Sequence, residues 1–201
     1  MRIIFCGAQG TGKSTLAREL KKIYPSLELI DSVADSLEMK KENFKFSEPT
    51  LEFQTKLSVK YFDLLTNTKD YISSRGLPDI FAYSHHNKKR FLSKEKDFEN
   101  LENMCLGLDR IISTTSTFLF YVPIMFDSIE SKDLRSTNKS FQYEIDIYIR
   151  DYLRRLGYIS EGKKTSNTYT CFKMIESLSV EDRLNEIEQF IKSVFEELSS
   201  F

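Results

Sequence analysis

The chain reads as an α/β fold built on a parallel sheet with helices on both faces. Three observations predict it. Short apolar runs suited to strands buried on both sides recur along the 201 residues, amphipathic helical stretches lie between them, and the two kinds of segment alternate from end to end. That length suits a single domain, 1–201, and is short for two. Hydrophobic residues make up 40% and charged residues 29%, enough for a buried core inside a solvated shell.

Ile3-Ile4-Phe5-Cys6 is the first strand, and a glycine-rich turn follows it. The next helix opens around Thr15, places Leu16, Leu20 and Ile23 on one face, and closes at Pro25. Residues 27–31 read as a second strand and 49–66 as a helix with Leu51, Leu57, Phe62 and Leu65 turned inward. Residues 70–74 form a third strand, and Pro78 sits in the first turn of the helix after it. The polar, lysine-rich stretch 87–97 reads as a surface loop, and 98–113 as a helix.

Thr117-Phe118-Leu119-Phe120-Tyr121-Val122, rich in β-branched and aromatic residues, is the strongest strand of the chain. Residues 127–139 are polar without an apolar period and read as a mobile loop. An amphipathic helix then carries Phe141, Ile145, Tyr148, Ile149, Tyr152 and Leu156, and Gly157 ends it. After a polar loop at 160–168, residues 169–175 form the fifth strand. Ser179-Val180-Glu181-Asp182 resembles a capping box ahead of a helix bearing Leu184, Ile187, Ile191, Val194 and Leu198.

The turn after the first strand is Gly7-Ala8-Gln9-Gly10-Thr11-Gly12-Lys13-Ser14, the P-loop pattern of glycine, four residues, Gly-Lys and Ser/Thr. Glycines let consecutive backbone N–H groups face a phosphate, and the following helix adds its positive end. The pattern stands where the chemistry needs it, between an apolar strand and an amphipathic helix. It assigns ATP to Gly7, Gln9, Gly10, Thr11, Gly12, Lys13, Ser14 and Thr15, with Lys13 on the β- and γ-phosphates and the Ser14 hydroxyl on Mg²⁺. The fold is thus expected to be a P-loop NTPase fold with a five-stranded parallel sheet.

Composition narrows the partners. Lys and Arg number 29 against 30 Asp and Glu, so no global positive field exists to hold nucleic acid. Cys6, Cys105 and Cys171 are too few and scattered for a disulfide framework and read as reduced thiols of a cytoplasmic protein. No apolar stretch approaches the ~20 residues needed to span a bilayer, and no long apolar leader opens the chain.

Beyond the P-loop, four segments resemble the small AAA-type ATPase and kinase families that include the nicotinamide riboside kinase domain, and the thymidylate and deoxynucleoside kinases. The first is Leu29-Ile30-Asp31-Ser32-Val33-Ala34-Asp35, similar to the strand that delivers an acid to the site. Asp31 is then the candidate general base, although aspartate at a strand end also suits a helix cap. The second, Ser74-Arg75-Gly76-Leu77-Pro78-Asp79-Ile80-Phe81-Ala82-Tyr83, resembles the family's acid-Arg-x-x-x-Asp-x-x-Ala-Tyr. It implies that Arg75 and Asp79 contact substrate, and it departs from the family at Ser74, where an acid is usual.

The third segment joins Phe120-Tyr121-Val122-Pro123 to Asp133-Leu134-Arg135-Ser136-Thr137 and resembles a strand and lid. It implies a lid at about 127–140 whose Arg135 closes on the phosphoryl group. The fourth is Gln54, at the position of a substrate-side glutamine, where an exposed helical glutamine is the other reading. Arg150, Arg154 and Arg155 belong to a solvated helix face.

The resemblance implies an ATP-dependent phosphotransferase acting on a nucleoside or nucleotide-like acceptor, and it allows a homodimer. No acidic residue of Walker B type ends an apolar strand, which favours transfer over hydrolysis. Two alternatives stay open. One is a kinase modifying nucleic acid at an end or a hydroxymethylated base through Lys88, Lys89, Arg90 and Lys163-Lys164. The other is a non-catalytic ATP-binding switch.

Overall fold

The computed structural model describes residues 1–31, 51–125, 139–159 and 170–200. Five strands, β1 (Arg2–Cys6), β2 (Glu28–Ile30), β3 (Tyr71–Ser73), β4 (Thr117–Tyr121) and β5 (Thr170–Met174), form one sheet in the order β2-β3-β1-β4-β5. Every pairing is parallel, and Ile3 of β1 stands between Ile72 of β3 and Phe118 of β4. The helices are α1 (Lys13–Ile23), α2 (Leu51–Asn67), α3 (Leu77–Arg90), α4 (Glu95–Ile112), α5 (Lys139–Arg155) and α6 (Val180–Ser199). This is the expected P-loop NTPase architecture.

Strand alternation divides the core in two. Ile3 and Phe5 of β1, with Phe118 and Phe120 of β4, pack against Leu16 and Leu20 of α1 and Ile187 and Ile191 of α6. Ile4 and Cys6, with Leu119 and Tyr121, face the other layer, which α2, α3, α4 and α5 supply through Leu57, Phe81, Cys105 and Ile149. The central strand is therefore apolar at every position from Ile3 to Cys6, as a strand covered on both sides must be. Each of the two faces ends at the same edge, where β1 releases the glycine-rich turn.

Several local expectations need correction. Residues 87–97 are not a loop: α3 continues to Arg90, a 3₁₀ turn covers Leu92–Lys94, and α4 begins at Glu95. Lys88, Lys89 and Arg90 complement the negative end of the α3 dipole, so their polarity marks a helix terminus instead of a break. Asn87 is buried at that end. Helix α1 opens at Lys13, two residues before the expected start, because the P-loop lysine itself lies in the first turn. Ile23 and Leu198 are exposed at helix ends, beyond the reach of the sheet.

Ser179 caps α6 as expected, accepting from the Asp182 N–H at 3.0 Å. All three cysteines are free thiols, with Cys6 and Cys105 buried. Among the described residues no helix is long and apolar enough to cross a membrane.

Candidate active site

The P-loop leaves the carboxyl end of the central strand, where open α/β sheets gather their ligands. Gly7 has φ +152, and a Cβ there would lie 2.3 Å from the Val122 carbonyl oxygen, so the loop can start only with glycine. The loop's carbonyls are bonded by side chains. Lys13 Nζ donates to Gly7 O at 2.6 Å and Ala8 O at 2.7 Å, and the Thr11 hydroxyl donates to Ala8 O at 3.0 Å. Gln142 Nε2 donates to Gln9 O at 2.6 Å, and Arg183 Nη1 donates to Thr11 O at 2.9 Å. The first backbone bond of α1 runs from Leu16 N to Gly12 O, which leaves the Lys13, Ser14 and Thr15 N–H groups at a positive helix end. Ser14 is half-buried in that turn and Thr15 is exposed.

Lys13 is buried, and so is its acidic neighbour Asp79, whose Oδ1 lies 3.5 Å from Nζ. Burial pushes the lysine ammonium down and the Asp79 carboxyl up from their usual values, and their mutual attraction offsets part of each shift. Asp79 also accepts from the Gly76 N–H at 3.2 Å, so the same carboxylate caps α3. A Cβ on Gly76 would meet Ile4 Cγ2 at 2.8 Å, so this turn lies flat on β1 and delivers Asp79 to the P-loop.

The segment resembling acid-Arg-x-x-x-Asp-x-x-Ala-Tyr thus converges on the loop. Tyr83, one turn after Asp79, donates from its hydroxyl to Gln9 Oε1 at 3.2 Å. Ser74, where the family has an acid, is buried and donates its hydroxyl to the Asp31 carbonyl. Arg75 is half-buried at the end of β3, its main chain held by the Ser73 hydroxyl at 2.5 Å. Burial opposes its charge, but Tyr61, Tyr83, Asp79 and Asp31 outweigh burial and hold the guanidinium cationic.

Asp31 ends β2, one strand away from β1 with β3 between them. Its carboxylate is gripped by Arg18 of α1, through Nε at 2.8 Å and Nη2 at 2.6 Å. Gln54 is buried on the inner face of α2, and its Oε1 has no hydrogen-bond partner among the described residues. The reading of an exposed helical glutamine is therefore set aside. Arg135 and the expected lid up to residue 138 lie outside the described residues.

Three contacts are not read from the sequence: Gln142 and Arg183 on the loop carbonyls, and Tyr83 on Gln9. The only available signal was that Tyr83 follows Asp79 by one turn. Arg150 is not simply solvated. Its Nε donates to the Tyr121 hydroxyl at 2.8 Å and to Asp146 at 3.0 Å, tying α5 to the end of β4. Lys88 lies 3.8 Å from Glu102, and Lys89 lies over the Tyr148 ring, so two cations of the suggested nucleic-acid strip have partners within the fold.

A parallel sheet in this strand order, with a lysine-bearing glycine loop on its central strand, defines a P-loop nucleoside-triphosphate-binding protein. The chain belongs to the AAA domain family, which matches residues 2–160. No curated protein matches it by sequence. Among solved structures it is similar to deoxyadenosine kinase from M. mycoides, with 14% identity, 96% of this chain and 100% of that chain covered, and a TM-score of 0.66. Thymidylate kinase from Candida albicans has 14% identity over 96% of this chain and 91% of its own, with a TM-score of 0.60. The NadR protein, solved in complex with NR, has 13% identity and a TM-score of 0.60. There 95% of this chain aligns with 50% of NadR. At these identities the likeness is one of fold.

Proposed function

We propose that the protein is an ATP-dependent phosphotransferase acting on a nucleoside or nucleotide-like acceptor. The observation that carries this reading is the buried Lys13, seated between the Gly7 and Ala8 carbonyls and beside Asp79. A lysine so placed can swing its ammonium from protein oxygens to the β- and γ-phosphates of ATP without crossing open water. Lys13, the loop N–H groups and the α1 end would hold the triphosphate. Mg²⁺ would rest on the Ser14 hydroxyl and phosphate oxygens, where it neutralises charge on the transferred group. Arg135 is assigned to closure over that group.

On the acceptor side stand Arg75, Asp79, Gln54 and Asp31. If the acceptor is a hydroxyl, Asp31 is the proton acceptor, released from Arg18. That the structural neighbours include deoxyadenosine and thymidylate kinases favours transfer over a switch role. The test is transfer of label from γ-labelled ATP to nucleosides, nucleoside monophosphates, nicotinamide riboside and oligonucleotides, with Lys13→Ala as the blank. Labelled nucleoside or nucleotide product that disappears in the blank supports the reading. Binding of ATP with no transfer to any acceptor would end it.

A further inference from the structure

We infer that His86 is a positioning residue for the P-loop, and that a proton on its ring tightens the grip of α3 and α5 on Gln9 and with it the hold on ATP. The inference rests on the loop binding ATP and not on the choice of acceptor.

The chain has two histidines, His85 and His86, side by side on α3. Histidine is the side chain whose ordinary titration falls near neutral pH. His85 turns to α4, where its Nδ1 lies 2.8 Å from the buried Glu102 carboxylate, which Lys88 also approaches at 3.8 Å. His86 turns to α5. Its Nδ1 lies 3.1 Å from Glu144 Oε2, yet that nitrogen is buried and makes no hydrogen bond to a described residue. A bare Nδ1 there sets a lone pair against a carboxylate oxygen, and a proton on it turns the contact into an ion pair. Glu144 stays ionised to receive it. Burial opposes its charge, but the Tyr148 hydroxyl, His86 and Lys89 outweigh burial and lower its pKa from the usual carboxylate value.

The second observation is what this junction carries. One turn of α3 holds Tyr83 and His86, and one turn of α5 holds Phe141, Gln142 and Glu144. The Phe141 ring packs on both residues of α3, its centroid 5.9 Å from that of Tyr83 and 4.8 Å from that of His86. Tyr83 donates to Gln9 Oε1 and Gln142 donates to Gln9 O, so both oxygens of one loop residue are held from these same two turns. A slip between the helices therefore disturbs one hold on Gln9 or the other. Lys89, over the Tyr148 ring, also joins α3 to α5, but the lysine stays charged and the buried tyrosine stays neutral near pH 7. His86 is the group at this junction whose charge changes there.

The sign follows from linkage. A proton that tightens ATP binding is itself bound more tightly when ATP is present. The gain is present where the ring is charged, below about pH 6.5 for an ordinary histidine, and is lost as the pH rises through that value.

The experiment titrates Mg·ATP calorimetrically into wild type, His86→Gln and Glu144→Gln at about pH 5.5 and about pH 8, on either side of the histidine range. The ATP phosphates and Asp109 also titrate in this interval, but alike in all three proteins, so the ratio of Kd values isolates the pair. We expect His86→Gln to weaken ATP binding roughly 2- to 5-fold at the acid end, the range of a part-exposed ion pair, and to match wild type at the alkaline end. Glu144→Gln should do the same, and the double variant should lose no more than either single one. Binding heats compared in two buffers of different ionisation enthalpy should show wild type taking up more protons with ATP than His86→Gln does. A melting curve on each variant shows that it is folded, and if His86→Gln is not, Glu144→Gln carries the comparison. A Kd ratio that is the same at both pH values overturns the inference, and so does equal proton uptake by wild type and a folded variant.

Discussion

Replacing Asp109 with Asn should stabilise the protein at neutral and alkaline pH, and the gain should vanish in acid. Asp109 lies on α4, one turn after Cys105, and is 7% exposed. Its carboxyl makes no hydrogen bond to a described residue, and burial alone pushes its pKa from 3.8 to about 7. The same burial raises the Cys105 thiol to about 12, with the Asp109 charge adding to it. Between the two carboxyl values the unfolded chain has released a proton that the native protein still holds. Unfolding then gains free energy as the pH rises, and native stability falls from about pH 4 to pH 7 and levels off above. Such a rise corresponds to a penalty of roughly 4 kcal/mol when fully expressed, of which roughly 2.5 kcal/mol develops between pH 5 and pH 8. The assay is urea unfolding of both proteins at those two pH values. For a chain of this size the corresponding difference in melting temperature is about 5–10 °C. An Asp109→Asn variant whose advantage is the same at pH 5 and pH 8 would refute the assignment of this carboxyl as a buried, unpartnered acid.

Four further outcomes follow from the site. Gly7→Ala forces a methyl group against the Val122 carbonyl, so ATP binding by calorimetry should be lost; retained affinity would contradict the loop geometry. Asp79→Ala removes a helix cap and the Lys13 partner together, and thermal unfolding should report a loss of about 1–3 kcal/mol, whereas an unchanged melting point would rule out the buried pair. Gln142→Ala deletes a part-buried bond to Gln9 O and should cost about 1 kcal/mol while raising the Kd for ATP; equal affinity would show that the latch is irrelevant to the loop. Asp31→Asn should abolish transfer to a hydroxyl acceptor while ATP binding persists, and an unchanged transfer rate would end the assignment of Asp31 as the proton acceptor.

Much of this architecture is legible in the chain because its signals are local. The run from Ile3 to Cys6 and the strand beginning at Thr117 are apolar at successive positions, and the P-loop spacing is contained in eight residues. Asp79 and Tyr83 announce themselves by sitting one turn apart on α3. What stays hidden is tertiary. Gln142 reaches Gln9 across 133 residues and Arg183 reaches Thr11 across 172, and neither leaves any pattern around itself. The polar stretch at 87–97 misleads for a different reason. Cations favoured at a helix end have the same composition as cations favoured in a loop. Gln54 stays open between two readings for a related reason, since amphipathic spacing cannot tell a buried amide from a solvated one.

The latches on the P-loop come from opposite sides of the sheet, Gln142 from the α5 layer and Arg183 from the α6 layer, and both close on main-chain oxygens. Main-chain oxygens persist whatever side chain occupies positions 9 and 11. Exchanging the side chains at those two positions therefore leaves both docking points standing, while a single exchange on either distant helix unfastens one of them. Tolerance and fragility are displaced from one another: the helices flanking the sheet, remote in sequence, hold the adjustment of a turn that they do not themselves contain.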